Sequence, residues 1–224
     1  MLYLIPLFLI LLIPIIADIW VKYNYRKYLK VDNAQGITGS EVAQMILKKN
    51  GIENVRVNQA SGFLSDNYSH GSGNKTVNLS EGVYSAKSVA SVAIAAHECG
   101  HALQDRDGYG FMRMRSSLVP VVMFANKLSY VLVILGAIFP VFGFGWLGVL
   151  IISATLLFEL VTLPVEFNAS KRALQELEAL EIVSDAEMSG VRSMLRSAAL
   201  TYVAAVAASA IQLLRLLMVL KRRR

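Results

Sequence analysis

The sequence predicts a mainly α-helical integral membrane protein with a small β element and three to four membrane helices. Three observations carry this. Apolar residues make up 55% of the 224 positions and charged residues 17%, against about 25% charged in an ordinary globular domain. Four apolar stretches, at residues 2–21, 118–144, 146–163 and 198–220, each approach or exceed the ~20 residues a helix needs to cross a bilayer core. Between the first and second lies a polar block, 22–117, in which helical and alternating patterns both occur. The low charge excludes a disordered chain and a coiled coil. A single cysteine excludes an intramolecular disulfide and a multi-cysteine metal site. The net charge of +6 sits beside the apolar runs, which fits membrane flanks and not nucleic acid.

Residues 1–21 read as an uncleaved anchor. They carry no basic leader, and Ile15-Ile16-Ala17-Asp18 is a poor cleavage site. Pro6 and Pro14 are tolerated, because membrane helices accept such kinks. Lys22, Arg26, Lys27 and Lys30 follow at once, so the positive-inside rule assigns the block 22–117 to the cytoplasm. Within it, Thr38-Gly39-Ser40-Glu41 starts a helix that Asn50-Gly51 stops. Val55-Arg56-Val57 alternates as a short strand. Residues 61–74, rich in Gly, Ser and Asn, form a loop or hairpin, and Lys75-Thr76-Val77-Asn78-Leu79 is a second strand. Residues 85–105 form a helix of small and apolar side chains. A membrane hairpin spans 118–163 around an uncharged turn near Gly143 and Gly145. Pro164 opens a cytoplasmic helix over 164–197. Residues 198–224 are an apolar helix with the basic tail Lys221-Arg222-Arg223-Arg224. If all four stretches cross, that tail breaks the positive-inside rule, and Gln212 and Arg215 are costly at mid-depth. The fourth stretch therefore either crosses or lies along the membrane.

The chemistry is concentrated in His97-Glu98-Cys99-Gly100-His101. On a helix, residues four apart share a face, so both imidazoles reach one ion, and Glu98, offset by one position, approaches a water on it. Zinc suits such a site. The flanking positions are nearly all small or apolar, and polar groups embedded there are expensive without partners. Cys99 points away from the histidine face and is read as a buried, inert thiol. Gly100 costs ~1 kcal/mol against Ala inside a helix; a close backbone neighbour would explain it.

Catalytic zinc takes three protein ligands. No suitably spaced histidine follows His101, which leaves a carboxylate or His70. Two apolar stretches after the motif return the chain to the same side, where the first carboxylate is Glu166, in Leu163-Pro164-Val165-Glu166-Phe167-Asn168-Ala169-Ser170. Glu159, inside the third stretch, is the intramembrane alternative.

These residues resemble a known family. The run Ala96-His97-Glu98-Cys99-Gly100-His101-Ala102-Leu103-Gln104, with the Glu166 segment and Arg172-Ala173-Leu174, resembles the YugP-like bacterial membrane zinc metallopeptidases. The likeness covers nearly the whole chain, including the anchor, Asn78-Leu79-Ser80 and Val83-Tyr84. HtpX-type and CAAX prenyl membrane proteases are similar more distantly. The resemblance implies a zincin-like, gluzincin core with His97, His101 and Glu166 on zinc and Glu98 as base. Two departures concern supporting residues: Asn168 stands where an aspartate is usual, and Asp66-Asn67-Tyr68-Ser69-His70 differs from the usual acid-His-Tyr run.

The expected function is a multi-pass metalloendopeptidase of the cell membrane, acting at the cytoplasmic face on membrane proteins or membrane-proximal peptides. Its partners are a polypeptide and the lipid bilayer, not nucleic acid, and oligomers are compatible with the sequence. Thr76, Val77, Asn78 and Leu79 are read as an edge strand that an extended substrate joins. Tyr68, His70 and Asn168 are candidate donors to the tetrahedral intermediate or candidate supports of the metal ligands. Two rivals remain: a zinc-binding scaffold or assembly factor without turnover, and a transporter using Glu159, Lys127 and Arg215.

Overall fold

The computed structural model describes residues 4–71, 73–138 and 143–222. The elements in chain order are α1 (Leu4–Tyr28), α2 (Gly39–Lys49), β1 (Val55–Ala60), β2 (Asn67–His70), β3 (Lys75–Ser80), α3 (Glu81–Tyr84), α4 (Val89–Arg106), α5 (Gly110–Ile138), α6 (Gly143–Ala179) and α7 (Asp185–Arg222). The chain divides into two compact units. One is Ile19–Tyr109 with Val165–Ala199; the other is Met1–Asp18 with Gly110–Pro164 and Leu200–Arg224.

Local chemistry sets the elements of the first unit. Thr38 caps α2 in a capping box: its hydroxyl accepts from the Glu41 N–H while the Glu41 carboxylate accepts from the Thr38 N–H. Asn50 ends the helix, and Gly51 takes a positive φ of 64° just beyond it. Ser88 and Ser91 form an equivalent box at the start of α4. The core joins Val42 and Ile46 of α2, Val77 and Leu79 of β3, Val92, Ala93 and Ala96 of α4, Ala173 and Leu177 of α6, and Val191 of α7.

The sheet order is β1-β3-β2. β3 runs parallel to β1, with Val57 opposite Val77, and antiparallel to β2, with Tyr68 opposite Val77. The segment holding Thr76, Val77, Asn78 and Leu79 is therefore the central strand and not the expected edge. Both its hydrogen-bonding sides are already paired, so no substrate can add to it.

In the second unit, α6 and α7 approach closely where glycines face leucines. A β-carbon on Gly148 would lie 3.2 Å from the Leu216 side chain, the small-residue contact common between membrane helices. The Ser209 hydroxyl donates to Glu159 Oε1 at 3.0 Å. Phe124, Leu150 and Leu214 are exposed large apolar residues; such faces suit hydrocarbon and not water. Three described helices, Ile5–Tyr28, Gly145–Ala179 and Asp185–Lys221, are long and apolar enough to cross a membrane. The expected second span, 118–144, includes residues 139–142, outside those described.

One expected boundary is absent. Pro164 does not open a helix over 164–197: it lies inside α6, which runs unbroken to Ala179, and α7 starts at Asp185. Proline deletes one backbone bond, to Leu160, and a long helix held on both sides of the gap absorbs that loss. Glu166 is consequently a mid-helix residue.

Candidate metal centre

Helix α4 is buried along nearly its whole length, which accounts for its Ala- and Val-rich sequence. The capped start at Ser88 fixes its register, and His97 and His101 then fall on one face. Gly100 has the close backbone neighbour its position suggested. A β-carbon there would meet the Ala169 carbonyl oxygen of α6 at 2.5 Å. Only hydrogen fits, and Glu166, three residues before Ala169, is brought against the motif.

His97 Nε2 lies 3.3 Å from Glu166 Oε2 and His101 Nε2 lies 3.7 Å from the same oxygen. The two imidazoles stand edge to face, with centroids 4.9 Å apart. One donor atom from each of His97, His101 and Glu166 lies within 4.8 Å of the others. Two imidazole nitrogens and a carboxylate oxygen are the donor set of catalytic zinc with one position open. Glu166, at 2% exposure, is a buried carboxylate facing two imidazoles. Such a group needs compensating charge, and a divalent cation supplies it. The residues fit the metal.

Gln104 and Ser170 add supporting contacts beyond Asn168. Gln104, fully buried, donates through Nε2 to the Val165 carbonyl at 2.7 Å and to Asn168 Oδ1 at 3.0 Å. Its Oε1 therefore faces His101 Nδ1, 3.0 Å away, and must accept from it. That places the proton on Nδ1 and leaves Nε2, toward Glu166, with a free lone pair. On the other imidazole, Ser170 Oγ lies 3.2 Å from His97 Nδ1. Arg172 extends the support, donating to Asn168 Oδ1 at 2.8 Å and pairing with Asp107. Asn168 thus braces Gln104 and Arg172. The sequence carried a signal for both supports: Gln104 is seven residues after His97 on the same face, and Ser170 is four after Glu166.

Glu98 is buried beside the two histidines, and no hydrogen bond ties its carboxylate to another described side chain. Burial pushes its pKa above the ordinary carboxylate range, against the attraction of His97 and His101; Glu166 and Asp66 add to the rise. For His101, burial opposes the charged form, but the Glu166 and Glu98 carboxylates outweigh it and hold the pKa above the usual histidine value. Cys99 is fully buried, its thiol donates toward the Ala43 carbonyl, and burial pushes its pKa up. It is an inert thiol.

Tyr68 and His70 have another partner. Asp105 Oδ2 accepts from the Tyr68 hydroxyl at 2.7 Å, lies 2.9 Å from His70 Nδ1, and pairs with Lys75 at 2.6 Å. Asp105 is one turn beyond His101 on the same helix, so this clasp fastens β2 and β3 to α4.

Comparison with known proteins agrees with the chemistry of this site. The sequence model of a family described as "Putative neutral zinc metallopeptidase" matches residues 3–221. A relative from Bacillus subtilis (strain 168), named "Putative membrane protease YugP", is 41% identical over 203 residues, covering 91% of this chain and 89% of that protein. No solved structure matches. With a family match over nearly its full length and a donor set suited to zinc, the chain belongs to the neutral zinc metallopeptidase family.

Proposed function

We propose that the protein is a membrane-embedded zinc metalloendopeptidase of the gluzincin type, with His97, His101 and Glu166 as metal ligands and Glu98 as general base. The convergence of the three donor atoms within 4.8 Å, with Glu98 beside the two histidines on α4, carries the reading. Zinc, when bound there, supplies a Lewis acid that polarises the scissile carbonyl and lowers the pKa of a bound water towards ~7. Glu98 takes the attacking water's proton and delivers it to the leaving amine. Burial raises its pKa above the ordinary carboxylate range, which makes the carboxylate a stronger base for that proton. Gln104 and Ser170 hold the two imidazoles in orientation.

An extended substrate needs a strand edge. Among the described residues the outer side of β2 has no strand neighbour, and β2 is clasped to α4 one turn beyond His101. We assign substrate pairing to that edge. The basic residues after α1 and beside the other spans support an active site on the cytoplasmic side of the cell membrane. Substrates would then be membrane proteins or peptides released near the bilayer.

The test is bound zinc per chain and cleavage of an unstructured casein-like substrate by detergent-purified protein, for wild type and Glu98→Gln. Zinc in both with cleavage only in the wild type supports the assignment. Zinc in both without cleavage in either favours a scaffold. Absence of zinc from both overturns the site.

A further inference from the structure

A cavity of about 410 Å3 opens in the unit that holds the metal centre, between the stretch of α6 beyond Glu166 and the first turns of α7. Lys171, Arg192 and Arg196 line it, and no carboxylate does. Among the described residues Lys171 and Arg196 have no ion-pair or hydrogen-bond partner for their side chains, whereas Arg192 lies 3.3 Å from Glu178. The neighbouring Arg172 points elsewhere, to Asn168 and Asp107. The convergence is therefore not a property of every basic residue on these helices. Phe167, Leu195 and Ala199 supply an apolar lining, and Phe167 is 51% exposed.

We propose that this groove binds one anionic phospholipid, with the phosphate among Lys171, Arg192 and Arg196 and an acyl chain along Phe167 and Ala199. The polarity of the groove matches such a molecule. Of the lining residues, Phe167 lies just past the apolar run 146–163 and Ala199 lies within the run 198–220. Lys171 and Arg196 stand about one turn farther from those runs. A lipid in the bilayer has the same order, with acyl chain inward and headgroup outward. The groove shares Ser170 with the metal centre: its hydroxyl contacts His97 Nδ1, the nitrogen opposite the one that faces Glu166. An occupant here bears on the support of His97 and leaves the metal-facing side free, which favours a resident lipid over the substrate.

The experiment uses full-length protein in nanodiscs of phosphatidylcholine mixed with phosphatidylglycerol, followed by native mass spectrometry of the extracted protein. The wild type retains phosphatidylglycerol preferentially. The Lys171→Gln/Arg196→Gln variant loses about tenfold or more of that preference, since each juxtamembrane charge contributes on the order of a fivefold factor. Lys171→Arg/Arg196→Lys, which keeps both charges, retains the lipid, and so does Arg113→Gln, which removes an exposed charge in the other unit. Wild-type retention by the double glutamine variant overturns the proposal, as does an equal loss in Arg113→Gln. Displacement of the lipid by glycerol 3-phosphate or an acidic peptide at equal concentration overturns the lipid assignment, because the apolar lining would then contribute nothing. Lipid retention is read without activity, so a failed peptidase assay leaves the outcome interpretable.

Discussion

Gly100 and Ala169 set the spacing of the metal centre: a β-carbon on the first would lie 2.5 Å from the carbonyl oxygen of the second. The obstruction is backbone, which cannot rotate away. Gly100→Ala therefore pushes α6 from α4, although alanine is the better helix former by ~1 kcal/mol. The expected result is a net loss of roughly 1–3 kcal/mol, as for other overpacked cores, together with weaker zinc binding because Glu166 moves with α6. Thermal unfolding and a zinc titration of the purified variant check this. An alanine variant with wild-type zinc affinity would show that the helices are not held at this contact.

Gln104 selects the tautomer of His101. Gln104→Leu removes the acceptor for Nδ1–H and leaves that donor buried without a partner. Loss of such supporting contacts typically costs 10–100-fold in metal affinity. Competition with a chromophoric chelator measures it. Gln104→Glu keeps an acceptor for His101 but loses the donation to Val165 and Asn168, so its affinity should fall between wild type and the leucine variant.

What the sequence made legible follows from the range of each interaction. The pairing of His97 with His101 is legible in the sequence because helical periodicity acts over four residues. Glu166 was readable from topology: two apolar stretches return the chain to the motif. At Pro164 the local preference of proline for a first turn yields to the continuity of a long apolar helix. The alternation over Lys75–Ser80 marks a strand but does not name its neighbours, so the central place of β3 was hidden. The Tyr68 hydroxyl and the His70 ring meet Asp105, 37 and 35 residues away, a partner that no local sequence pattern marks.

Metal removal distinguishes the proposed ligands from Glu98, the proposed base. Zinc that binds only the folded chain stabilises it by about 2.7 kcal/mol when free metal is a hundred times its Kd. Chelation should therefore lower the Tm of the wild type, and of Glu98→Gln by a similar amount if Glu98 acts as the proposed base and not as a ligand. In Glu166→Gln the chelator-induced shift should shrink or vanish. A full shift in Glu166→Gln would move the third ligand to another carboxylate.

The Asp105 clasp gives a pH signature away from the metal. Burial raises the pKa of this carboxyl, but the bonds from Lys75, Tyr68 and His70 outweigh it and hold Asp105 below the ordinary carboxylate range. A depressed folded pKa contributes stability that is fully present above the unfolded value and is lost as pH falls through the folded one. Asp105→Asn should thus be less stable than wild type at neutral pH, by on the order of 1 kcal/mol for a lost charged hydrogen-bond acceptor. The gap should close as the medium is acidified past the ordinary aspartate pKa. Denaturant unfolding of both proteins across that range measures it. If β2 is the substrate edge, the same variant should also raise KM for an extended peptide more than it lowers kcat, because the loosened strand binds less well while Glu98 and the ligands stay in place. A gap that persists undiminished in acid would mean that the clasp stabilises by packing and not by charge.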